Sequence, residues 1–192
     1  MSIKIGINGF GRIGRLILRA LLENYKSKLQ VVAINDLGSI ETNAHLIKYD
    51  STHGILKESV KTTKEGFEIS NQKIKVFAEK DPGNIPWGEV GADIILECTG
   101  RFLDKPSAQN HIKGGAKKVI ISAPAKEVDF TIVQGVNSKD LKKDHNIISN
   151  GSCTTNCLAP VAIVLEKNFG IEYGYMTTIH SYTGDQKLLD TL

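Results

Sequence analysis

The sequence predicts an α/β protein: a doubly wound, mostly parallel sheet followed by the start of a second, α+β unit. Short apolar strands alternate with helical periodicity through the first 150 residues. The segments ADIILEC (92–98) and KKVIIS (117–122) are almost unbroken apolar runs, and a glycine-rich turn joins the first strand to the first helix. Parallel strands need crossover connections, and strands covered on both faces read as continuous apolar stretches.

Ile3–Asn8 is a short apolar strand, and Arg12–Glu23 places Ile13, Ile17, Ala20 and Leu21 at helical spacing. A second strand, Leu29–Asn35, precedes a helix near Glu41–Tyr49. Lys57–Thr62, Gly66–Ile69 and Lys73–Phe77 alternate as shorter strands. After the buried strand Ala92–Cys98, Asp104 is placed to cap a helix. The strands Lys117–Ser122 and Asn146–Ser149 follow. The boundary between units falls near Asn150–Ser152, giving domains 1–150 and 151–192. Beyond it the pattern is helical to about Asn168, then a strand over Tyr173–His180. The second part is too short to build a core by itself, so the chain reads as cut off within that domain.

Composition narrows the function classes. The 41% hydrophobic and 23% charged fractions are those of a globular protein. The net charge of +3 is small and the lysines are dispersed, which argues against a nucleic-acid binder. No apolar run has the length of a membrane span. Three unevenly spaced cysteines make no disulfide framework and fit a reducing, cytoplasmic setting.

Two constellations carry chemistry. Gly9-Phe10-Gly11-Arg12-Ile13-Gly14 has the spacing G-x-G-x-x-G between a strand and a helix. Its glycines permit a tight turn and let backbone N–H groups approach a pyrophosphate. Asp36 closes the second strand, where a carboxylate accepts from ribose hydroxyls and repels a 2′-phosphate, favouring NAD over NADP. The competing reading of Asp36 is a turn or cap residue.

In the second constellation, Cys153 follows a buried strand and opens a helical pattern, where a helix dipole favours thiolate. His180 ends a later strand and is available as its base. Inert buried thiols are the commoner case, however. Pro160 either kinks this helix or starts it, and a start there would remove the dipole from Cys153. Cys153, Cys157 and His180 match no common zinc spacing. Cys98 reads as a core residue, and His45, His53, His111 and His145, without identifiable partners, read mostly as surface histidines.

The blocks INGFGRIGR, AIND (33–36), KYDSTHG (48–54), ECTG (97–100), GAKKVIIS (115–122), SNGSCTTNC (149–157) and TTIHSYTGDQ (177–186) together resemble phosphorylating glyceraldehyde-3-phosphate dehydrogenases. The resemblance implies a Rossmann-type NAD domain and the first part of the catalytic domain. It also implies NAD-dependent oxidation of glyceraldehyde 3-phosphate with inorganic phosphate to 1,3-bisphosphoglycerate, a glycolytic reaction. Cys153 would form the thioester and His180 would move the proton. Gly9, Gly11, Arg12, Ile13, Gly14, Asp36, Lys80 and Ser122 would hold the dinucleotide, and Ser152, Thr154 and Thr183 the phosphates. It further implies a homotetramer, and a 192-residue chain that is inactive alone.

Three positions depart from the family pattern. Lys80 replaces a common arginine, Gly151 a usual alanine, and Leu192 falls near a position linked to cofactor preference. Erythrose-4-phosphate dehydrogenase shares the same blocks and hydrolyses its thioester with water. A non-catalytic dinucleotide-binding module is the alternative outside enzymology.

Overall fold

The computed structural model describes residues 2–183. The strand β1 (Ile3–Asn8) leads into α1 (Arg12–Asn24) and then β2 (Leu29–Asn35). Next come α2 (Ile40–Lys48), a small hairpin of β3 (Tyr49–Asp50) and β4 (Gly54–Ile55), and the antiparallel run β5 (Val60–Thr63), β6 (Gly66–Ile69) and β7 (Gln72–Phe77). A 3-10 turn at Pro82–Asn84 precedes β8 (Ile94–Glu97), α3 (Lys105–Lys113), β9 (Lys118–Ile121) and β10 (Phe130–Thr131). A second 3-10 turn at Ser138–Asp140, β11 (Ile147–Ser149) and α4 (Cys153–Phe169) complete the order.

Among the described residues, the strands form one sheet in the order β10-β11-β9-β8-β1-β2-β7-β6-β5, with the β3–β4 hairpin apart from it. The six strands from β10 to β2 run parallel, β7 joins β2 in parallel, and β6 and β5 close that edge antiparallel. The chain leaves β1 toward β2 and later returns to the other side of β1 with β8. Strand order therefore reverses between β1 and β8, where crevices form at the carboxyl ends of such sheets.

The core explains why these segments are strands and helices. Ile5, Ile7, Val31 and Ile34 from the central strands pack with Leu18 and Leu22 of α1 and Ile47 of α2. A second cluster gathers Ala33, Ile95 and the fully buried Trp87, and a third joins Val119, Ile121 and Ile147 to Ala108 of α3. Caps fix the helix starts: Ser39 accepts from Thr42 N–H, and Asp104 accepts from Ser107 N–H as its position predicts. Arg19 is buried and donates to the carbonyls of Ile47, Lys48 and Gly54, satisfying the C-terminal end of α2.

Two expectations change. The strand expected over Tyr173–His180 is not formed among the described residues; Tyr175 and Ile179 lie fully exposed. The strand expected over Lys57–Thr62 starts at Val60 and ends at Thr63. β10 and the β3–β4 hairpin are too short to announce themselves by periodicity.

Candidate active site and dinucleotide cleft

The glycine-rich turn sits at the carboxyl end of β1, and each of its glycines has a separate physical reason. Gly9 has φ +87°, and a Cβ there would lie 2.8 Å from Thr99 N and Cγ2. A Cβ on Gly14 would approach the Gly9 carbonyl oxygen to 2.2 Å, so the first turn of α1 closes on the loop only without a side chain. Gly11 faces open space. A tight turn, an open face and a close helix contact are the three demands of a pyrophosphate-binding turn. The loop borders a cavity of about 480 Å³, lined also by Asn8, Asn35, Asp36, Lys80 and Thr99.

Asp36 follows β2 directly and serves two ends. Its Oδ2 accepts from Phe10 N–H at 2.8 Å and its Oδ1 from Gly38 N–H at 2.9 Å, while the carboxylate still faces the cavity. The turn role and the cleft role therefore coexist, since each oxygen retains a second acceptor position. Arg12 and Ile13 open α1 beside the loop. The Arg12 guanidinium is turned to Asp50, whose Oδ2 it meets at 2.7 Å. Backbone N–H donors from His53 and Thr52, opposed by partial burial, and the nearby Arg12 hold the Asp50 carboxyl at about 2. Ser122 lies at the end of β9, its N–H on the Glu97 carbonyl and its side chain on Cys98. Burial pushes the Cys98 thiol up to about 12, which makes it inert.

The second constellation is assembled at α4. This helix starts at Cys153 and runs unbroken through Pro160, which settles the alternatives left by the sequence in favour of the dipole at Cys153. Ser152 is the N-cap and accepts from Thr155 N–H at 2.9 Å. Gly151 has φ +67°, the left-handed conformation that favours glycine, which accounts for its place before the Ser-Cys pair. Cys153 Sγ lies 3.1 Å from His180 Nε2, a contact across 27 residues. The hydrogen bond with His180 is the main influence drawing the Cys153 thiol below its ordinary value, with the Thr154 N–H adding to it and burial opposing it. His180 Nδ1 faces the carbonyl of Ser181, which only accepts, so the geometry favours a proton on Nδ1 and turns Nε2 toward the sulfur. Thr154 lines a cavity of about 450 Å³ with Cys153, Cys157 and His180.

Among the described residues, no group of His, Cys, Asp and Glu is arranged to hold a metal ion, and no helix is long and apolar enough to cross a membrane. Of the histidines read as surface residues, His111 is instead completely buried, because its partners Glu97 and Trp87 are brought to it by the fold. Asn8, Asn35 and Thr99 line the cleft and were not singled out from the sequence. Leu192 lies outside the described residues.

Residues 3–105 match the model of the glyceraldehyde 3-phosphate dehydrogenase NAD binding domain, and residues 152–192 match that of the C-terminal domain. The chain is 56% identical over 191 residues to glyceraldehyde-3-phosphate dehydrogenases of Streptomyces coelicolor and Geobacillus stearothermophilus, with 99% of the chain covered in each case. It is 53% identical over 192 residues to the enzyme of Xanthobacter flavus. It spans only 56–57% of the length of these relatives. On these matches, the chain belongs to the glyceraldehyde 3-phosphate dehydrogenase family, and the cleft beside Gly9–Gly14 lies in that family's NAD binding domain.

Proposed function

We propose that the protein is an NAD-dependent, phosphorylating glyceraldehyde-3-phosphate dehydrogenase in which Cys153 is the nucleophile and His180 its base. The observation that carries this reading is the 3.1 Å contact between Cys153 Sγ and His180 Nε2 at the start of α4. NAD fits the cleft: Gly9, Gly11 and Gly14 clear the approach to the N-terminus of α1, and Asp36 is poised for the ribose hydroxyls. When bound there, NAD supplies the hydride acceptor. Gly9, Gly11, Arg12, Ile13 and Gly14 hold the pyrophosphate side, with Lys80 and Ser122 flanking the cleft.

The chain's own groups perform the covalent chemistry. The Cys153 thiolate adds to the aldehyde carbon of glyceraldehyde 3-phosphate, and His180 Nε2 holds and removes the hydroxyl proton of the adduct as it is oxidised. The resulting thioester on Cys153 is cleaved by inorganic phosphate, releasing 1,3-bisphosphoglycerate and restoring the thiolate. Covalent capture divides one difficult oxidation and phosphorylation into two steps. Ser152, Thr154 and Thr183 bind the phosphate groups. The chain divides into a dinucleotide domain, 1–150, and part of the catalytic domain, 151–192. The complete protein is a cytoplasmic homotetramer, and the 192-residue chain alone does not turn over. The exposed apolar side chains of α4 support that last statement.

The test is the cofactor and co-substrate dependence of the complete protein. Reduced dinucleotide should form with glyceraldehyde 3-phosphate, and steady turnover should require inorganic phosphate. Turnover that prefers erythrose 4-phosphate and ignores inorganic phosphate would replace this reading with that of the hydrolysing relative.

A further inference from the structure

Glu97 ends β8 and is 1% exposed, yet among the described residues no lysine or arginine forms an ion pair with it. Its Oε1 accepts from the Thr99 N–H at 2.7 Å and from the Thr99 hydroxyl. Its Oε2 accepts from Asn8 Nδ2 at 2.6 Å and meets His111 Nε2 at 2.9 Å. The direction of the last contact is fixed from behind. Trp87 Nε1, which only donates, points at His111 Nδ1 from 3.0 Å. Nδ1 therefore accepts, and Nε2 carries the proton given to Glu97. The pair is a neutral imidazole donating to a carboxylate, not an ion pair. On the other side, Asn35 Nδ2 donates to Asn8 Oδ1 at 2.8 Å, while Asn35 Oδ1 accepts from Glu79 N–H at 2.8 Å. This orients Asn8 with its amide N–H toward Glu97. The donors of Trp87, His111, Asn8 and Thr99 thus run inward to one carboxylate, while Asn35 Nδ2 also donates to the Glu79 carbonyl.

The location of this carboxylate gives it a consequence beyond stability. Asn8 and Glu97 are register partners across β1 and β8, the pair of strands between which the strand order reverses. Asn8 and Thr99 both line the dinucleotide cleft, and Thr99 is the residue against which Gly9 closes. Asn35 extends the same chain to the Glu79 backbone, next to Lys80. A fully satisfied buried network specifies one arrangement of its members, whereas a half-satisfied one does not.

We infer that Glu97 is a positioning residue of the dinucleotide cleft: it fixes Thr99 and Asn8 before the cofactor enters, without touching it. This rests on reading the cleft as the NAD site. Glutamine is not a conservative replacement here, because its amide N–H₂ would face either the Thr99 N–H or the N–H groups of Asn8 and His111. Neither Asn8 nor His111 can reverse without losing Asn35 or Trp87 as its partner.

The test compares NAD affinity, by calorimetry on the full chain, with thermal stability. Glu97→Gln is expected to weaken NAD binding about tenfold, in line with the loss of hydrogen bonds to a charged group. Trp87→Phe removes the donor on the side of His111 remote from the cleft; it should lower the melting temperature while leaving NAD affinity within about twofold. Thr99→Val should weaken binding several-fold and Thr99→Ser should restore it, which keeps the inference testable if Glu97→Gln does not fold. Nitrogen NMR should find the His111 proton on Nε2. Glu97→Gln and Thr99→Val chains that lose stability like Trp87→Phe but bind NAD as the parent does would overturn the inference, as would a proton on Nδ1. Absence of NAD binding in the unsubstituted chain would instead refute the reading of the cleft.

Discussion

The first 150 residues and helix α4 treat their apolar side chains in opposite ways. In the former, strands and helices bury Ile7, Leu18, Ile34, Trp87 and Ile95 almost completely, and the polar groups of the interior are tied into a closed hydrogen-bonded chain. In α4 no residue is buried: Leu158, Val161, Val164 and Leu165 are between 42% and 57% exposed, and Phe169 is 84% exposed. Yet this exposed helix presents Cys153, the proposed nucleophile, while the closed half supplies the cleft. The difference teaches that the dinucleotide half owes its shape to its own packing. By contrast, within this chain, which spans 56–57% of the length of its relatives, the geometry at Cys153 is held by the Ser152 cap, the left-handed Gly151 and the His180 contact.

Substitutions can break or sharpen that contrast. The largest expected effect is at Gly14, where a methyl group would meet the Gly9 carbonyl oxygen. Gly14→Ala should cost about 1–3 kcal/mol, the range for overpacking a closed contact, measured by denaturant unfolding. Val161→Ala on α4, by comparison, should change stability of the chain by no more than about 0.5 kcal/mol. Equal costs at the two positions would abolish the distinction between the regions.

A smaller effect is expected at the far edge of the sheet. Burial pushes the Asp129 carboxyl up, but the hydrogen bond from Lys105 and the N–H groups of Ile147 and Asn146 outweigh it and hold the group at about 2. A carboxyl held below its unfolded value stabilises the fold above that unfolded value, and the contribution is lost as pH falls toward 2. Asp129→Asn should therefore flatten the fall in stability between about pH 4 and pH 2 and reduce stability at neutral pH. An unchanged acid limb would remove Asp129 from the account.

Much of this was legible in the sequence because it is local. The spacing of Gly9, Gly11 and Gly14, the apolar runs that became β8 and β9, and the Asp104 cap depend on neighbours within a few residues. What escaped depends on distant partners. His111 carries no local sign of burial, since its partners Glu97 and Trp87 lie 14 and 24 residues away, and Asn8 joins the same carboxylate across 89. The Tyr173–His180 segment has the alternation of a strand, but alternation alone forms no ladder without a partner. The local sequence around Pro160 does not decide the helix, because a proline removes one intrahelical bond whether or not the rest of the helix survives.

We propose that His180 and the start of α4 together draw the Cys153 thiol below its ordinary value. The most direct test of this is the pH dependence of alkylation by iodoacetate at Cys153, followed by peptide mass in the complete protein and in its His180→Gln variant. The account predicts a midpoint below that of an ordinary thiol, a shift upward in the variant, and no reaction at Cys98 near neutral pH. A midpoint equal to that of free cysteine, unmoved by the loss of His180, would contradict it.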